Sequence, residues 1–121
     1  MPALLAAGAC AIAGSAAAAD TQRFELRNVA DLVAVCSVPE GDPHHAIAMG
    51  FCHGVLVGAY GYYDSAVAKS DRFVCSPTPT PKRSQVMNGF VTWARAHPGY
   101  AKQHPVDGLF KYLAETYPCR K

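Results

Sequence analysis

The sequence predicts an all-α fold, a small four-helix disulfide-bonded bundle around a long glycine-rich central helix. Three observations predict it. Residues 43–69 form the longest run that can be a single helix. Two later segments carry apolar residues at three-four spacing, and no stretch alternates with the two-residue period of a strand. Cysteines punctuate the segments at Cys36, Cys52, Cys75 and Cys119. No internal repeat marks a second domain.

The 121 residues are 50% hydrophobic and 17% charged, with 11 Lys and Arg against 9 Asp and Glu. A net charge of +2 leaves no polybasic footprint for nucleic acid and no acidic tail. Residues 1–19 hold no charged side chain and end Ala17-Ala18-Ala19 before Asp20, as a signal peptide cleaved after Ala19 does. Ala7-Gly8-Ala9-Cys10 loosely resembles a lipidation site, but Ala stands where Leu is expected, and the chain stays apolar beyond Cys10. A retained anchor is the third alternative. The expected organisation is a signal peptide over 1–19, a flexible arm over 20–27 and a helical domain over 28–121, exported into an oxidising compartment. Four Cys then remain in an oxidising compartment, which predicts two disulfides. Neither a Cys-x2-Cys pair for zinc nor a Cys-x-x-Cys-His site for haem is present.

The first helix begins near Asn28, a capping residue, and carries Val29, Leu32, Val33 and Cys36. The second is expected to start with Asp42 as cap and Pro43 as first residue, and to run to about Lys69. In it Ala46, Gly50, Gly54 and Gly58 recur every fourth residue, which lines them up in one groove. Each interior glycine costs about 0.5–1 kcal/mol relative to Ala, so the row is expected to seat a neighbouring helix, within the monomer or across a dimer. A fully buried groove would make Gly54→Leu cost more than about 1–3 kcal/mol. A membrane span is disfavoured for this helix, because Cys52 and His53 sit at its centre and its flanks lack Lys or Arg clusters.

Phe73 and Cys75 can dock on the core before the stiff Pro77-Thr78-Pro79-Thr80-Pro81 linker. Thr80 is expected to cap a third helix whose first residue is Pro81, with Val86, Met87, Phe90, Val91, Trp93 and Ala94 on its apolar face, stopping at His97-Pro98-Gly99. A fourth helix opens at Pro105 and carries Val106, Leu109, Phe110, Leu113 and Tyr117. If the last three helices run up, down and up, with the short first helix alongside, Cys36 with Cys52 and Cys75 with Cys119 is the favoured pairing. By loop closure these bridges are worth roughly 3 and 4 kcal/mol.

No catalytic constellation stands out. There is no Gly-x-Ser-x-Gly elbow and no phosphate loop, and Cys52 and His53 point about 100° apart on a helix. His44, His45, His53, His97 and His104 include no pair four apart on one helix for a metal. His44 and His45 are expected to be solvated and His53 hydrogen-bonded at the core edge. Asp31, Asp42, Asp64, Asp71, Asp107 and Glu115 fall on presumed polar faces or caps. The expectation is a binding protein without cofactor or metal.

The segments Asp31-Leu32-Val33-Ala34-Val35-Cys36, Phe51-Cys52-His53-Gly54-Val55-Leu56-Val57-Gly58, Phe73-Val74-Cys75-Ser76-Pro77, His97-Pro98 and Tyr117-Pro118-Cys119 carry a resemblance over about 28–119. In order and character they resemble the Rap/Tai family of bacterial immunity proteins, which protect a cell from type VI secretion amidase toxins. The resemblance implies a helical, disulfide-bonded periplasmic domain, often dimeric, that occludes a peptidoglycan amidase effector and performs no catalysis. The family's signature positions are the Cys, Gly and Pro of the fold, so no toxin-contacting residue carries over. Acid-stress chaperones of the HdeA type share the design and supply the alternative, a periplasmic holdase.

Overall fold

The computed structural model describes residues 24–120. Four α-helices form there: Val29–Cys36 (α1), His45–Ala66 (α2), Arg83–Ala96 (α3) and Pro105–Thr116 (α4), with 3-10 turns at Lys69–Asp71 and Pro98–Tyr100. Among the described residues the β-structure amounts to one antiparallel bridge, Val74 with Pro118. The signal peptide, its cleavage site, Cys10 and residues 20–23 of the expected arm lie outside the described residues. The rest of that arm is not free: Phe24 and Leu26 pack against the core, and Arg27 donates its N–H and Nε to the Asp31 carboxylate at 2.9 and 3.1 Å.

α1 is the packing centre. Val29, Leu32, Val35 and Cys36 are buried along its eight residues, and it touches each of the other three helices. A helix buried this deeply must satisfy its orphan N–H groups internally. Asn28 Oδ1 accepts from the Asp31 N–H, while the Val29 and Ala30 N–H groups donate to the Gln103 and Ala101 carbonyls of the loop before α4. The short helix therefore lies alongside the three longer helices with its inner face packed on all of them, and Ala30 and Ala34 are exposed on its outer side.

α2 buries only one stripe of its 22 residues, Ala48, Cys52, Leu56 and Tyr63. It starts at His45, two residues beyond the expected Pro43. The Asp42 carboxylate accepts from the His44 N–H at 2.8 Å, so Asp42 closes a turn ahead of the helix instead of capping it. It ends at Ala66, three residues before Lys69, where Val67 turns extended and donates its N–H to the Tyr63 carbonyl. α3 likewise begins at Arg83 and not at Pro81; extended Lys82 precedes it, and no side chain, Thr80 included, caps it.

The predicted helix-packing groove faces the other way. Ala46, Gly50, Gly54 and Gly58 are exposed, and nothing lies within 4 Å of a Cβ placed on any of the three glycines. No helix of the monomer sits there, because the row lies opposite the buried stripe. Close approach falls to two other glycines. A Cβ on Gly108 would overlap the buried Val29 methyl of α1, and one on Gly89 would overlap the Tyr112 hydroxyl across the α3–α4 contact. Gly108→Ala should therefore destabilise by about 1–3 kcal/mol of overpacking even though Ala favours helix by about 1 kcal/mol. Gly54→Ala should stabilise by about 0.5–1 kcal/mol, since it adds helix propensity and meets nothing. Thermal unfolding that moved both variants in one direction would contradict this arrangement.

Two disulfides close the fold. Cys36 is joined to Cys52 and Cys75 to Cys119, with Cα–Cα distances of 5.2 and 4.9 Å. The first ties α1 to α2. The second holds the 73–75 connector against the C-terminus, beside the Val74–Pro118 bridge and the 2.9 Å bond from Cys75 N–H to the Tyr117 carbonyl.

Candidate functional site

The exposed side of α2 is a surface of its own. The bare row of Ala46, Gly50, Gly54, Gly58 and Gly61 is flanked by Ile47, Phe51, Val57 and Tyr62, which are 64%, 36%, 45% and 76% exposed. Large apolar side chains gathered on one face of a folded domain mark a contact surface. Phe24 braces one margin, its ring edge-on to Phe51 with centroids 5.5 Å apart. The glycines leave the helix backbone open to close approach between these flanks.

Beyond Val57 and Gly61 the face runs into a cavity of about 340 Å³ between α2, the proline linker, α3 and α4. Leu56, Val74, Val86, Leu109 and Leu113 wall it. Polar groups stand around it: His53, Asp64 and Arg83 among them. Asp64 is already occupied, since Arg72 Nη1 pairs with its carboxylate at 2.7 Å and Arg72 Nη2 donates to its carbonyl at 2.7 Å. Arg83, exposed at the first turn of α3, has no ion-pair partner among the described residues.

Tyr63 holds this end of α2 in place. Its hydroxyl accepts from the Phe73 and Val74 N–H groups at 2.8 and 3.0 Å, and its ring packs 5.2 Å from Phe73 and 5.0 Å from Phe110. Hydroxyl and ring together fix the connector that walls the cavity. Sequence reasoning missed this residue; an aromatic on the same stripe as Cys52 and Leu56 was the available signal.

The histidines do not converge. His44 and His45, expected to be solvated, are half-buried and bonded: the His44 ring lies 3.2 Å from Asp42 and His45 Nδ1 donates to the Val38 carbonyl at 2.8 Å. His97 Nδ1 donates to the Trp93 carbonyl, and its ring stacks on the indole with centroids 4.6 Å apart. His104 Nδ1 caps α4 by accepting from the Val106 N–H at 3.3 Å. His53 is half-buried, but its Nε2 lies out of solvent with no hydrogen-bond partner, unlike the bonded residue expected. Among the described residues no three His, Cys, Asp or Glu side chains gather as metal ligands, and no helix is long and apolar enough to cross a membrane.

Two carboxyls are held below their ordinary range. The hydrogen bond from Arg27 does this for Asp31, with the Arg27 N–H adding to it; the 2.7 Å bond from Trp93 Nε1 does it for Glu115, aided by Lys111. Burial raises the Tyr112 phenol well above its ordinary value. None of these groups lines the cavity. The arrangement offers a shaped apolar surface with a cationic margin, and no grouped nucleophile, base or ligand set among the described residues.

The model of one protein family, the Rap1a immunity proteins, matches residues 28–119. The chain belongs to the Rap1a immunity protein family. The match begins at the α1 cap and ends on the last disulfide, so the family domain is the whole bundle just described. No curated protein and no solved structure matches the chain. Membership in the Rap1a family implies a protein partner, a secreted effector. The two disulfides suit an extracytoplasmic setting.

Proposed function

We propose that this Rap1a protein is a periplasmic immunity protein that binds and neutralises a type VI secretion peptidoglycan amidase, without catalysis of its own. The observation that carries the reading is the outward face of α2, apolar and bare in a domain of an immunity family. Occlusion needs a rigid surface and no chemistry. The expected setting is the periplasm after cleavage at Ala19, where the amidase meets its peptidoglycan substrate. Expressing the full chain in the periplasm of a cell that receives a type VI amidase effector from a neighbouring locus, its expected partner, should restore growth. Killing undiminished by the chain would refute the reading.

A homodimer is the second reading of the same face, supported by the small residues of the glycine row, which let a second α2 approach closely. Sedimentation of the free chain separates the two, since a stable dimer would cover the face before the effector arrives.

The acid-chaperone alternative has a different requirement. Asp31 and Glu115 have folded-state pKa values below their unfolded ones, so the stability they contribute is present above the unfolded values and lost as pH falls through the folded ones. Stability linked to these groups should hold down to about pH 5 and be lost progressively below it. A circular dichroism titration checks this, and a chain that unfolds in mild acid and suppresses client aggregation there would favour the chaperone.

A further inference from the structure

The outward face of α2 does not account for the cavity at its end. Its walls are mostly apolar, from Leu56 and Val74 to Val86 and Leu113, with His53, Asp64 and Arg83 among the polar groups around it, and about 340 Å³ is in the range of a specific pocket, enough for one bulky side chain. The charge at its mouth is one-sided. Asp64 is neutralised by Arg72, whereas Arg83, which lines the cavity, has no ion-pair partner among the described residues, its chain neighbour Lys82 is exposed, and no described side chain caps the first turn of α3. An uncapped helix start adds partial positive charge to the two cations. Such a mouth complements an apolar group that carries a carboxylate next to it.

Val57 and Gly61 belong both to the cavity margin and to the exposed face. A free small molecule would fill the cavity and leave Ile47, Phe51 and Tyr62 in water, whereas a protein seated on the face would cover both. We propose that the cavity is the anchor slot of the effector interface: it takes one aromatic or large aliphatic side chain of the effector, with a neighbouring effector carboxylate at Arg83. Buried anchors in such pockets dominate interface energies. The proposal rests on the immunity reading for its partner and on the cavity alone for its chemistry.

Indole-3-propionate, an aromatic group with a carboxylate, is the probe, added to the disulfide-intact chain and followed by methyl NMR. It should shift Leu56, Val86 and Leu113 saturably, bind more tightly than its neutral amide, and weaken about fivefold or more with Arg83→Glu. Gly61→Trp, at a position where a Cβ meets nothing, should block it, and Thr80→Trp on the opposite rim should do the same. With the proposed amidase effector, both blocking variants should lower affinity about tenfold or more while their melting stays that of the parent. No saturable shift in the parent chain overturns the slot. Blocked variants that bind the effector at full affinity also overturn it, leaving a small-molecule pocket unrelated to the interface. A parent chain that accepts the probe but forms no complex with the effector refutes the immunity reading and the anchor role with it.

Discussion

Leu32→Ala is expected to destabilise the protein by about 3–5 kcal/mol, at the upper end of buried Leu truncations. Leu32 is 0% exposed at the middle of α1, the short helix that touches α2, α3 and α4 together. Truncation there leaves a cavity bounded by elements held on several sides: α1 is tied to α2 by Cys36–Cys52 and to the 101–103 loop by its own N–H groups. Those ties restrict collapse around the gap, which is what makes a cavity costly. Ile47→Ala on the outward face of α2 should change stability by less than about 0.5 kcal/mol, because Ile47 is 64% exposed. Denaturant unfolding measures both. Equal losses would mean that the long helix, and not α1, organises the core.

Replacing Cys75 and Cys119 together by Ala is expected to cost about 4 kcal/mol, since their bridge spans a separation of 44 residues. For a domain of this size that corresponds to a fall in Tm of roughly 15–30 °C. The loss should be concentrated at one end. The bridge holds the connector whose Phe73 and Val74 N–H groups bond to Tyr63, so its removal frees a wall of the cavity as well. The shorter Cys36–Cys52 bridge, with a separation of 16, should cost about 3 kcal/mol and leave the cavity intact. Thermal melts of the two double variants give the ranking, and probe binding reports on the cavity. A larger loss from the Cys36–Cys52 pair would contradict the ranking.

What the sequence made legible is what periodicity and punctuation encode. Met87, Phe90, Val91 and Ala94 are buried on α3, and Leu109 and Leu113 on α4, where one apolar stripe stands against a polar face. α2 offered no such contrast. It is apolar nearly all round, so its period could not say which side meets the core, and a glycine every fourth residue has the same spacing bare or buried. The glycines that do permit close packing, Gly89 and Gly108, stand singly, and only their neighbours in space, Tyr112 and Val29, reveal them. Two helix starts were misplaced because Asp42-Pro43 and Thr80-Pro81 carry start signals that here close a turn and an extended linker. The cavity was illegible for a related reason, since its walls come from four separate stretches of chain. Tyr63 joins two of them through its hydroxyl, a contact that sequence spacing does not encode.

On the function proposed above, the outward face of α2 is kept bare for a protein partner. Gly54→Arg tests it most directly, because the position is exposed, meets nothing within 4 Å and lies in the middle of the glycine row. Titration calorimetry of this variant against the proposed amidase effector, with the parent chain in parallel, is the measurement. Melting at or above that of the parent is expected, with affinity lower by about tenfold or more, or about 1.4 kcal/mol. Parent-like affinity with arginine standing in the row would contradict it.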